Sequence, residues 1–238
     1  MNRSHVIARR ELKSYFVSPI AYVAMAIFLV VCGVAFWPDF QPGQPAEMRH
    51  LFDSMVWVLV AIVPLLSMGL LAQEWATGTI ESLMTAPVGE IDVVLGKFLG
   101  SLAFFILLLA PTLLYVVLLR AYGKPDLGPI ASGYLGIILV GALFIAIGLF
   151  CSALTKSQVV AAAAAAGILY AVTIVPYQVT ALASLPPFWR SVADHCVFRR
   201  YADFSKGVID SGNVIFFLAA TGAVLFLTVK VLESRRWK

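Results

Sequence analysis

About six stretches of this chain, each roughly 18–22 residues long and almost free of charge, decide what it can become. They cover approximately residues 20–37, 55–72, 98–119, 133–151, 159–179 and 214–232. A helix of about 20 residues rises far enough to cross the hydrocarbon core of a bilayer. Inside lipid the backbone must satisfy its own hydrogen bonds, which leaves the helix as the natural form for such runs. Of the 238 residues, 61% are hydrophobic and 13% charged, against roughly 25% charged in a soluble domain. Together the runs use most of the chain. The predicted fold is an all-α polytopic membrane protein with six transmembrane helices, built as a single unit over residues 1–238. The first run follows a segment longer than the basic region of a signal peptide. It ends in Trp37-Pro38-Asp39 with no small-residue cleavage site, so it reads as a retained span.

With six spans both termini share a side. Ten Lys and Arg residues fall on that side and seven on the other, four of those seven in one long loop where charge counts for little. Both termini are therefore expected in the cytoplasm. The net charge of +4 then belongs to a membrane-facing surface and not to nucleic-acid binding. Cys32, Cys151 and Cys196 are scattered, without the spacing of a disulfide framework or a metal site.

Residues 1–18 read as an amphipathic interfacial helix. Ala8, Leu12, Tyr15 and Phe16 form the apolar stripe, with Arg3, Arg10, Lys13 and Ser14 opposite. Pro19 suits the first turn of the span that follows. Pro64 and Pro111 interrupt the second and third spans and free carbonyls that neighbours must satisfy. Small residues recur at Gly96/Gly100, at Ala142/Ala146 and along Ala161 to Ala166, surfaces suited to close helix approach within the chain or across a dimer seam. The longest segment outside the spans, 185–213, carries Phe188, Trp189 and Val192, then Tyr201, Phe204 and Val208 at helical spacing among Arg199, Arg200 and Lys206. It is expected to form short external amphipathic helices, either lying in the membrane surface or acting as a lid or contact surface.

The catalytic inventory is poor. His5, His50 and His195 lie in different aqueous segments, and the consecutive Asp194-His195-Cys196 diverge instead of converging on a metal. Gly96-Lys97 resembles the end of a phosphate-binding loop, but Ile91 replaces its first glycine and Phe98 its Ser/Thr. Glu74, Asp92, Lys97 and Asp53 lie at span ends, and none of the runs carries the mid-span charge expected of a proton- or ion-coupled carrier. Any transport is therefore expected to be powered from outside the chain, which is read as a non-catalytic membrane subunit that binds no cofactor itself.

Between the second and third spans lies a polar insert, residues 73–92. Thr79 can cap a short helix, Glu81 stands in its first turn where the macrodipole favours acid, and Pro87 ends it. Glu90 and Asp92 then open the next helix. On a helix through this region Glu74, Thr77 and Glu81 share one face, with Ile80, Leu83 and Met84 turned away, although Gly78 interrupts it. An acidic rim beside an apolar knob suits a partner's groove; a plain corner between spans is the simpler alternative.

The motif Glu74-x-x-x-Gly78-Thr79-x-Glu81-x-Leu83-Met84-x-Ala86-Pro87, followed by Gly96-Lys97, resembles the intracellular loop of ABC-2-type transporter permeases. The stretch from Ser152 to Ala161 resembles their second intracellular turn, Phe204-x-x-Gly207-Val208-Ile209-Asp210 the segment before their last span, and Arg9-Arg10-Glu11-Leu12 the start of their connecting helix. Within that family the chain resembles the gliding-motility-associated permeases. The resemblance implies an exporter subunit that forms its path as a dimer with a second copy or close homologue, coupled to separate cytoplasmic ABC ATPase subunits. ATP and Mg would be held by those partners. It further implies that Glu74, Thr77, Gly78, Thr79, Glu81, Leu83, Met84 and Pro87 receive the ATPase stroke, with Thr155 and Lys156 as a secondary contact. Arg9, Arg10, Leu12 and Phe16 would belong to the interfacial helix against membrane lipid. An auxiliary membrane or extracytoplasmic subunit is compatible with this scheme. The alternative is a non-transporting scaffold that anchors a multiprotein complex through the same surfaces.

Overall fold

The structure, a computed structural model, describes residues 3–38, 47–79, 89–123, 125–180 and 196–236. Among the described residues the chain is helical, without strands. In order it forms α1 (Arg3–Val17), α2 (Pro19–Phe36), α3 (Arg49–Ser67), α4 (Gly69–Thr77), α5 (Glu90–Leu109) and α6 (Leu113–Tyr122). After these come α7 (Leu127–Leu154), α8 (Gln158–Thr180), α9 (Val197–Ser205) and α10 (Ser211–Arg236). Six helical stretches are long and apolar enough to cross a membrane. The second, third and fourth run for 29, 33 and 28 residues, well past the apolar runs that announce them. Apolar composition marks lipid depth; a helix continues beyond it wherever protein or water satisfies its outer turns.

The bundle is organised around α7. Of its most apolar window 83% is buried, against 22% for α10. It can be central because its glycines admit neighbours to backbone distance: a Cβ on Gly148 would lie 1.9 Å from Ser67 Oγ. The alanine run of α8 packs within the chain through Ala161 and Ala165, both buried, one turn apart.

A hydroxyl bonds the backbone beside each of Pro64 and Pro111; Pro176 lies inside α8. Beyond Pro64, Ser67 Oγ donates to the Val63 carbonyl at 2.8 Å. The helix then steps at Met68 from α3 to α4, and Ser152 of α7 closes the step. Its hydroxyl accepts from the backbone N–H of Leu71 (3.0 Å) and Ala72 (2.9 Å) and donates to the Met68 carbonyl (2.9 Å). Pro111 falls in a 3₁₀ turn, Ala110–Thr112, where Thr112 Oγ1 donates to the Leu109 carbonyl at 2.6 Å.

The segment before the last span packs into the bundle more deeply than a surface helix would. Tyr201 and Phe204 of α9 are fully buried, and the Phe204 carbonyl accepts from Ser132 Oγ of α7 at 2.8 Å. Burial of Tyr201, and secondarily the negative charge of Asp53, push the phenol pKa well up. Cys196 caps the helix, its Sγ accepting from the Arg199 N–H at 3.4 Å. Val208 lies past the end of α9 and is exposed, so the apolar spacing read from the sequence overran the helix. Phe188, Trp189 and Val192 lie outside the described residues.

Candidate functional site

The site is built where α1 crosses the start of α5. A helix backbone can lie there because residues 96 and 100 are glycine. A Cβ at Gly96 would come within 2.6 Å of Ile7 Cβ and 2.9 Å of the Ser4 carbonyl oxygen. At Gly100 it would lie 2.7 Å from Glu11 Cβ and 2.8 Å from the Ala8 carbonyl oxygen. The small-xxx-small pair thus receives the interfacial helix rather than another span.

The buried row of α1 differs from the apolar stripe expected. Ile7 and Tyr15 are buried, Ala8 and Leu12 half-buried, and Phe16 is exposed with its ring edge-on to Phe104 at 6.1 Å. Ser4 and Glu11 lie along the same contact row, and a hydrophobicity pattern cannot show this because they are polar. Each has a partner on α5. Ser4 Oγ donates to Asp92 Oδ1 at 2.7 Å, Lys97 Nζ to Glu11 Oε2 at 3.2 Å, and Tyr15 OH pairs with Ser101 Oγ at 3.0 Å. Tyr15 OH also donates to the Leu66 carbonyl of α3 at 2.9 Å, while its ring stacks on Phe104 with centroids 4.5 Å apart. Burial raises the Tyr15 phenol pKa far above its ordinary value, so the group is a neutral donor.

Lys97 is the centre of this ladder. Its side chain is 2% exposed, and its ammonium lies 2.9 Å from Glu74 Oε1 as well as 3.2 Å from Glu11 Oε2. Arg10 reaches the same Glu74 oxygen from the open side at 3.2 Å. The four charges balance, as a cluster this deep requires, since an unpaired ammonium there would be expensive. Glu74 belongs to the last turns of α4. The cluster therefore joins the interfacial helix, the root of the insert and the third span through one side chain.

Beyond Glu74 the helix stops. Thr77 ends α4, its Oγ1 donating to the Gln73 carbonyl at 3.0 Å and pairing with Thr79 Oγ1 at 2.9 Å. Gly78 closes the turn with φ +71°, a left-handed conformation natural to glycine. No single helix continues through the insert, and Glu74 turns inward to its ion pairs, so it does not join Thr77 in an outward acidic rim. Glu81, Leu83, Met84 and Pro87 lie outside the described residues. The second turn is compact: Thr155 follows the end of α7, its Oγ1 accepts from the Ser157 N–H at 3.1 Å, and Lys156 is exposed. Arg9 is exposed on α1. Among the described residues no group of His, Cys, Asp and Glu is placed to hold a metal ion.

The sequence model of ABC-2 family transporter proteins matches residues 43–188. The chain belongs to the ABC-2 transporter family. It is a multi-pass permease component, and permeases of this family generally work with ABC ATPases. A search of the curated proteins finds no match. The matched stretch of this permease holds Glu74, Lys97 and the turn at 155–157, whereas Arg10 and Glu11 lie outside it. Sequence reading missed Lys97 as a partner of the insert. The available signal was a lysine set between Gly96 and Phe98 at the start of an apolar run, with Glu11 unassigned and Glu74 assigned only to the insert.

Proposed function

We propose that this permease is the transmembrane subunit of an ATP-driven exporter, forming its path with a second copy and driven by separate ATPase subunits that bind its insert. ATP and Mg belong to those subunits, and both termini face the ATPase side of a bacterial inner membrane. Kinship with the gliding-motility-associated permeases is part of the same reading. The observation that carries it is the Lys97 cluster. A force on the insert reaches Glu74 first, and Glu74 is bonded through Lys97 to α5 and Glu11 and directly to Arg10 of α1. A buried, balanced ion cluster resists separation of its members, so a push at the insert moves α1 and α5 together. Thr77, Gly78 and Thr79 form the joint between this cluster and the stretch containing Glu81, Leu83, Met84 and Pro87.

The test is a mild-detergent pull-down of the tagged chain from its native membrane, followed by mass spectrometry. A stoichiometric soluble ATPase is expected, and Glu81→Lys is expected to release it while the spans stay folded. A reproducible complex without any ATPase would refute the exporter reading.

A further inference from the structure

The end of the bundle that carries the insert also holds the last turns of α10, and the Lys97 cluster makes no use of them. The guanidinium of Arg235 lies over the ring of Trp75, 5.0 Å from its centroid. The same side chain donates through Nη2 to the backbone carbonyl of Leu154. Leu154 is the last residue of α7, where free carbonyls carry the negative end of the helix dipole and attract a cation. Thr155 and Lys156 follow it directly. Trp75 adjoins Glu74 in the final turns of α4. One side chain from the sixth span thus touches both the root of the insert and the start of the second turn.

The chemistry suits arginine in particular. A planar guanidinium can stack on an aromatic face while donating from its edge. The buried Nε1 of Trp75 has no hydrogen-bond partner among the described residues, and Arg235 meets the ring face. The opposite side of the same step is fixed by Ser152, which bonds one turn earlier, at Met68, Leu71 and Ala72. Ser152 anchors the base of α4, and Arg235 is placed to anchor its tip.

We propose that Arg235 is a positioning residue that ties the root of the insert to the turn at 155–157, so that the two move as one platform. The value of such a platform rests on the reading that this face meets an ATPase, but the tie is a property of the permease alone.

The test is the distance between spin labels on Ala76→Cys and Lys156→Cys, both exposed positions, in the full chain in detergent. Cys32, Cys151 and Cys196 are buried and leave the labelling selective. Arg235→Gln is expected to raise a second, longer-distance component about fivefold, as loss of a cation–π contact of ordinary strength would. Arg235→Lys keeps a cation but not the plane that stacks on the ring while donating to the carbonyl, and is expected to give a smaller second component than Arg235→Gln. Lys230→Gln, which breaks an exposed pair with Glu233 and a contact over the Phe226 ring, both within the same helix, is expected to change nothing. A native distribution in Arg235→Gln, or an equal change in Arg235→Lys, would overturn the assignment. If Arg235→Gln does not fold, Trp75→Leu removes the ring and spares the bond to Leu154. It is expected to show the same longer component, and a native distribution there overturns the proposal. The readout uses the chain alone, so it stands or fails separately from the pull-down.

Discussion

Replacing Lys97 with methionine tests the centre of the site, because it keeps an unbranched side chain one atom shorter and removes the ammonium with its hydrogen bonds. In the native cluster Lys97 and Arg10 face Glu11 and Glu74. Lys97→Met leaves two carboxylates with one cation, and that cation, Arg10, is 63% exposed and reaches only Glu74. Removing one member of a buried ion pair costs about 3–5 kcal/mol. Both carboxylates are 15% exposed, so water relieves part of this and about 3 kcal/mol is the reasonable figure. Glu11→Gln alone leaves Lys97 its shorter contact to Glu74 and should cost about 1 kcal/mol. The double variant restores charge balance, with Arg10 and Glu74 still paired, and should cost about 2 kcal/mol, well under the additive value. Thermal unfolding in detergent, followed by intrinsic fluorescence, reads this as a drop of about 6–12 °C for Lys97→Met, with a smaller drop for the double variant. Strict additivity, or a Lys97→Met variant within about 0.5 kcal/mol of the native protein, would show that the ammonium is not held between these carboxylates.

Two further outcomes follow from hydroxyl groups. Ser152→Ala strands two backbone N–H groups and a carbonyl at the α3–α4 step and is expected to cost about 2–3 kcal/mol, read as a lowered unfolding temperature; Ser152→Thr, which keeps the hydroxyl, should lie closer to native. Tyr15→Phe keeps the stack on Phe104 but loses bonds to Leu66 and Ser101, about 1–2 kcal/mol at neutral pH. Burial raises the Tyr15 pKa in the folded state, so its contribution is full below the unfolded value near 10 and is lost as pH climbs toward the folded one. Stability measured from pH 8 to 11 should therefore fall more steeply in the native protein than in Tyr15→Phe.

The six spans were legible because lipid imposes a length and an apolarity that any sequence must display. Helix ends were less so: Thr77 continues α4 past the apolar run because Ser152 and Arg235, both distant in sequence, support its turns. The interfacial helix was legible as a helix but not in its orientation. A periodicity argument counts Ser4 and Glu11 as surface, and only the placement of Asp92 and Lys97 opposite them reverses that. Gly96 and Gly100 announced a close approach without naming what approaches. Glu74 shows the reverse error, since an acid in a polar insert reads as a docking charge until the ammonium behind it is known.

The position of Lys97 also decides what α1 is. An amphipathic segment held only by lipid would be an accessory anchor, dispensable to the spans. Here Glu11 supplies a carboxylate to a lysine that is 2% exposed, and the α1 backbone fills the groove over Gly96 and Gly100. Without α1, Lys97 would retain Glu74 alone, and that carboxylate, whose Oε2 already has no partner among the described residues, would lose Arg10. A half-satisfied cluster at the edge of an apolar helix is less stable than either a complete one or none. The contacts of α1 thus help to hold α5 in its native position. In this permease α1 is therefore a structural member of the bundle, and the insert is rooted in both.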